Sequence, residues 1–151
     1  RANCAPAWQK NSEILSRSII PVDFLPVTNV HSFRFDGHGE LINLTHYFNL
    51  IRIARKNKDT HFALWTKRKD LIKRAAESVD PNSERPKNLI LVYSNPTIDR
   101  IRRSPPKYFD KVFNNTSTLT SEDNCSGRTC LSCQQCYRKD SGINVIIEQV
   151  K

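Results

Sequence analysis

Between residues 27 and 94 the chain alternates strand-like and helix-like patterns with short links, which leaves few architectures open to it. Residues 27–35 (V-T-N-V-H-S-F-R-F) place β-branched and aromatic side chains in alternation and predict a strand. Leu41, Leu44, Phe48, Ile51 and Ala54 then recur at three- and four-residue steps, giving a helix over 41–57 one apolar face. Lys56 and Lys58 close that helix with the positive charge its C-terminus favours. Residues 60–66 (T-H-F-A-L-W-T) read as a second strand, and 70–79 as a short helix with Leu71, Ile72, Ala75, Ala76 and Val79 inward. Residues 88–94 (N-L-I-L-V-Y-S) form a nearly continuous apolar run, the pattern of a strand covered on both faces. Strand, helix, strand, helix, strand with short links implies parallel strands and right-handed crossovers.

The flanks are less regular. A helix is expected over 7–15, with Pro6 where a helix starts well, and Pro21 and Pro26 bracket a connector. After the third strand come a weak helical stretch over 96–106, strands over 108–114 and 143–150, and a Ser/Thr-rich loop over 116–123. At 151 residues the chain reads as a single α/β domain over 1–151. The expected fold is a small, mostly parallel sheet flanked by helices, either open or partly barrel-like, with a C-terminal cysteine-rich loop at 124–137.

That loop, N-C-S-G-R-T-C-L-S-C-Q-Q-C-Y, holds Cys125, Cys130, Cys133 and Cys136, four of the five cysteines, at C-x4-C-x2-C-x2-C spacing. Thiols this close in sequence reach a common centre at little loop-closure cost. Thiolates are soft donors that suit an iron–sulfur cluster or a tetrahedral zinc. Two successive x2 spacings also occur in ferredoxin-type cluster loops, whereas zinc knuckles are more often set apart, so the expected cofactor is a [4Fe–4S] cluster with Zn2+ as the alternative. A disulfide-stapled loop is the remaining reading. Clustering within an odd count of five argues for a reducing cytoplasm over a secreted, stapled domain. Cys4 is an orphan thiol, a small buried hydrophobe or the survivor of an upstream ligand set. The start at Arg1, with no methionine, suggests a trimmed chain that lacks upstream residues.

No stretch approaches 18 consecutive apolar residues, so no transmembrane helix is expected. The chain carries 24 basic against 15 acidic side chains, a formal charge of +9, which favours a polyanionic partner, nucleic acid first. Two basic knots concentrate that charge: Lys67, Arg68 and Lys69 after the second strand, and Arg100, Arg102, Arg103 and Lys107 after the third. If the strands are parallel, both knots share one sheet edge with the loop holding Asp36, His38 and Glu40. That loop lies after a strand and before a helix, where open α/β sheets bind ligands. Its carboxylates and imidazole suit acid/base work, metal ligation or helix capping, and are the catalytic candidates. GxSxG, HExxH, Walker and GxGxxG patterns are absent, which removes the common hydrolase, NTPase and dinucleotide readings. His31, His46 and His61 read as structural.

Phe33-Arg34-Phe35, Gly39-Glu40-Leu41, Phe62 through Lys67, Asn88-Leu89 through Ser94 and the run ending Cys136-Tyr137 together resemble the phage "gene product 88" proteins. This chain has His38-Gly39-Glu40 where that family usually has Ser-Gly-Asp. The resemblance implies phage or prophage origin, hence the cytoplasm of a host cell, and a cysteine-rich metal site, and no particular reaction. The expected function is therefore a cluster-bearing phage protein that contacts nucleic acid or a host factor. An iron–sulfur enzyme distantly like the radical-SAM proteins and a structural zinc protein are the alternatives. Against the enzyme, radical-SAM proteins place their cysteines ahead of the Gly-Glu turn, and here they follow it.

Overall fold

One helix organises the N-terminal half. In the computed structural model, which describes residues 5–35, 39–125 and 129–150, α2 runs over Leu44–Lys56. The Asn43 side chain caps it by accepting from the His46 backbone N–H at 2.9 Å. Its middle is buried nearly all round: Tyr47, Phe48, Leu50, Ile51, Ile53 and Ala54 all lie in the core. The helix packs on the sheet on one side and against α1 (Ala5–Arg17) on another.

The polar residues of α2 explain how the preceding segment is held. Asn49 is fully buried; its amide donates to the carbonyls of Leu15 (2.7 Å) and Ser18 (2.8 Å) and its oxygen accepts from Ile20 N–H (3.0 Å). Asn57 repeats the device one end further on. It accepts from Thr28 N–H (2.7 Å) and donates to the carbonyls of Pro26 and Ile53. A buried amide satisfied on both sides works as a splint, because breaking any one bond strands a desolvated polar group.

The strands are β1 (Ser32–Phe35), β2 (His61–Thr66), β3 (Leu89–Ser94), β4 (Lys111–Thr116) and β5 (Val145–Gln149). They form one sheet in the order β1-β2-β3-β4-β5 with every pairing parallel, so the α/β class read from the sequence is what the chain adopts. Register assigns the two faces. Phe33, Phe62 and Leu89 are partners across three strands, as are Phe35, Leu64 and Leu91, and this set turns toward α2 and α3 (Lys69–Ala76). Arg34, Ala63 and Ile90, then Trp65, Val92 and Lys111, point the other way.

Several boundaries differ from expectation. β1 begins at Ser32, because the backbone just before it is engaged by side chains, with Thr28 N–H bound by Asn57 and the Val30 carbonyl taken by the Thr60 hydroxyl. The expected strand over 108–114 is shifted to Lys111–Thr116, so that Lys111, Asn114 and Thr116 are buried polar residues inside a strand. No helix forms over 96–106. There Asn114 acts as a template, accepting from Asn95 Nδ2 (2.9 Å) and Arg102 N–H (2.8 Å) and so fixing an irregular loop. The prolines at 96, 105 and 106 deny that loop the donors a helix needs.

Candidate metal centre and the basic rim

The connection from β4 to β5 carries the cysteines and lies over the sheet face that no α2 or α3 side chain reaches. Its entry is fixed by Asn124, whose side chain accepts from Ile147 N–H (3.0 Å) and donates to the Val145 carbonyl (2.9 Å), while Cys125 N–H donates to the Ile147 carbonyl (3.1 Å). Cys125 is thereby pinned against β5. After residues 126–128, Thr129 caps a single turn, α4 (Cys130–Cys133), by accepting from Ser132 N–H. Cys130 and Cys133 sit three apart on that turn and therefore on one side of it. Gln134 ends the turn in the left-handed region (φ 56°), and its side-chain oxygen accepts from the Ser32 hydroxyl at 2.7 Å, which ties the loop to the start of β1. Cys136 follows on a 3-10 turn over Gln135–Tyr137 that contacts β2 and β3.

None of the four forms a disulfide. Cys125, Cys136 and Ile143 pack with Trp65 on a small apolar floor of Ile90, Val92, Phe113 and Ile146. Burial pushes the Cys136 thiol up to about 12, the neighbouring Cys125, Cys130 and Cys133 push in the same direction, and Arg34 opposes them. The four sulfurs thus share one electrostatic neighbourhood. Without a cation beside it the Cys136 thiol stays protonated, since burial and the neighbouring sulfurs both oppose its thiolate.

Positive charge stands close by. The Arg34 guanidinium lies 3.9 Å over the Trp65 ring, and Trp65 packs on Phe113 with ring centres 4.3 Å apart. Lys111 is fully buried on the same face, donating to Ser141 Oγ (2.8 Å) and the Ile143 carbonyl. Burial lowers its pKa, with Cys136, Asp110 and Asp140 acting the other way. Two buried polar atoms here have no partner: Trp65 Nε1, a donor, and Gln135 Oε1, an acceptor. Orphaned buried donors are rare and call for an explanation. Four soft donors, flanking cations and a spare indole N–H fit a thiolate-held metal group. Among the described residues no three His, Cys, Asp or Glu side chains stand as a finished ligand set. Binding would have to draw residues 129–136 in around Cys125.

The rim at the C-terminal ends of the strands is the second candidate region. Asp36 and His38 lie outside the described residues, as do Cys4, Ser126 and Gly127. Glu40 is described, and its carboxylate is fully engaged: it accepts from Leu41 N–H (2.9 Å), from the Thr66 hydroxyl and from Lys67 N–H (2.7 Å). It bolts the β1–α2 loop to the end of β2. Gly39 beside it has φ +83° and would bring a Cβ to 3.1 Å from the Trp8 ring, so both conformation and space require glycine there.

The parallel sheet brings most of the two basic knots to this same rim. Lys69 and Arg102, one from each, flank the Tyr93 ring at 5.3 and 5.9 Å. Lys67 and Arg100 are exposed. Arg68 is spent on Asp70 (2.8 and 2.9 Å) and the Leu41 carbonyl, and Arg103 on Glu122. Lys107 does not join them. Its ammonium sits over Tyr108, whose hydroxyl donates to Glu77 beyond the far end of α3 from Lys69. The shared edge expected for all seven residues therefore excludes Lys107, because the chain has returned to the strand origins before β4 begins.

The arrangement defines an all-parallel α/β protein with a thiol-bearing connection laid across one sheet face. No known family, curated protein or solved structure matches the chain. No helix among the described residues is long and apolar enough to cross a membrane. Sequence reading missed Trp65, Arg34 and Lys111 as neighbours of the thiols. The signal available was the odd placement of Arg34 and Lys111 in otherwise apolar strands.

Proposed function

We propose that the protein binds a metal group, a [4Fe–4S] cluster in first place, through Cys125, Cys130, Cys133 and Cys136. The observation that carries this is four cysteines from one short connection, none in a disulfide, sharing an electrostatic neighbourhood over an apolar floor with Arg34 beside them. The resemblance to phage gene product 88 proteins points the same way. Such a group, when bound, supplies either a one-electron redox centre or, as zinc, a rigid cross-link. Arg34 and Lys111 would offset the negative charge of the ligating thiolates, and the unpartnered Trp65 Nε1 would be the nearby donor for a sulfur. The exposed Lys67, Lys69, Arg100 and Arg102 at the C-terminal rim suit contact with nucleic acid, the partner this reading favours over a host protein.

The radical-SAM-like alternative would need the Glu40 carboxylate for a ligand amine. Both oxygens are committed to Leu41, Thr66 and Lys67, so nothing favours that reading. The test is iron, acid-labile sulfide and zinc quantified in protein purified without oxygen. Iron and sulfide in equal amounts support the proposal; zinc at one per chain selects the alternative; four thiols free of metal reject both.

A further inference from the structure

A concave region lies at the opposite end of the strands from the basic rim, between their N-terminal ends and the cysteine connection. A cavity of about 520 Å3 opens there, within the range of small-molecule sites. One wall is made by strand origins: His31 just before β1, His61 opening β2 and Lys87 just before β3. The other is made by Tyr137, Arg138 and Lys139, directly after the last cysteine. Topology makes this convergence inevitable. In a parallel sheet every strand starts at one edge, so residues 26 to 30 positions apart in sequence become neighbours. The His31 and His61 rings meet edge to face with centres 5.1 Å apart.

The charge is one-sided. Asp140 is the one carboxylate among the described lining residues, and Arg138 grips both its oxygens at 3.0 and 3.1 Å. Lys139 reaches Asp110 at 3.5 Å, but Asp110 also serves Arg85 at 2.7 Å, so two cations share one anion. Lys87 is exposed. The floor is Ile90, buried and apolar, and three flat rings (His31, His61 and the half-buried Tyr137) stand around it. Cations that outnumber anions, interleaved with flat rings, are what a phosphate joined to a planar base requires.

We propose that this cavity binds a nucleotide unit, its phosphate toward Lys87 and Lys139 and its base against the rings of Tyr137 and the paired histidines. The unit is either a free nucleotide or one residue of a single strand. The site stands on its own residues and survives failure of the metal reading, since none of its lining side chains is a cysteine.

The imidazole carbon–proton NMR signals of the four histidines report the site directly. AMP or a short oligothymidylate, added to the whole protein, should shift the His31 and His61 signals and leave those of buried His46 in place. Saturation by AMP identifies a free nucleotide, and a response to oligothymidylate alone identifies a strand; either supports the site. Lys87→Gln should weaken binding about tenfold and lower the slope of log affinity against log salt by about 0.7. Lys10→Gln with Lys73→Gln, exposed on α1 and α3 and outside both the cavity and the basic rim, should leave the His31 and His61 response unchanged. The proposal falls if neither probe moves those two signals, or if inorganic phosphate binds as tightly as AMP, which would leave the rings without a role.

Discussion

The two faces of the sheet obey different rules. The helix-covered face is a conventional core in which Phe62, Leu64, Leu89, Ile51 and Ala54 lose essentially all contact with water and two stacked rings, Phe35 and Phe62, lie 4.8 Å apart. Apolar packing dominates it, with the buried amides of Asn49 and Asn57 splinting the chain around α2. The opposite face has a small cluster of Ile90, Val92, Phe113 and Ile146, a fully buried lysine, an unpartnered indole N–H and a lid of short turns. A lid with so few buried side chains is a poor source of hydrophobic stability at about 25 cal/mol per Å2. What it does carry is four cysteines outside any disulfide. One face holds the fold, and the other, on our proposal, is completed by a metal group.

The sharpest way to separate the faces is to damage each in turn. Leu64→Ala, on the helix side, should cost about 3–5 kcal/mol and unfold the protein cooperatively, with or without metal, as read by denaturant titration. Next comes Glu40. Glu40→Gln weakens charge-assisted bonds from Leu41, Thr66 and Lys67 and should cost about 1–2 kcal/mol while thiol reactivity and metal content stay unchanged. A loss of metal on that substitution would join the rim to the cysteine face and break the division drawn here.

A smaller effect follows pH. Burial holds His46 below its ordinary value of 6.5, with Glu40 pulling the other way. The folded state therefore keeps a neutral ring while the unfolded chain takes up a proton. Stability from this source is complete above about pH 6.5 and is lost as pH falls toward the folded value. His46→Gln should flatten that part of the stability profile; an unchanged acid limb would assign the loss to other groups. The smallest effect belongs to the rim. Arg102→Ala with Arg103→Ala should lower the salt slope of nucleic-acid binding by about 0.7 to 0.9, the equivalent of one contact, since Arg103 is already paired with Glu122. A change of twice that size would mean that Arg103 leaves its partner on binding.

The helix-side face was legible because its rules are periodic. α2, α3, β2 and β3 announce themselves through steps of three and four or through continuous apolar runs, and they fell within a few residues of expectation. β4 is also present but displaced C-terminally, because apolarity points to Tyr108 and Phe109 whereas the strand is Lys111–Thr116, whose buried Lys111 and Asn114 pair with groups 12 to 32 positions away. No local window contains those partners. The cysteine spacing was visible at once, yet which sheet face it covers depends on register. Arg34 and Trp65, side by side over that face, are 31 positions apart. The histidine-lined cavity was hidden for the same reason: it exists only where parallel strands begin together.

The central claim is that the cysteine face is completed by a metal group held on four thiols. Anaerobically prepared protein should contain iron and sulfide, or one zinc, per chain, and Cys133→Ser should abolish that content. Amide exchange should then quicken over 124–149 while β2 and β3 keep their protection. Metal-free protein with four freely alkylated thiols and a fully protected 124–149 segment would contradict it.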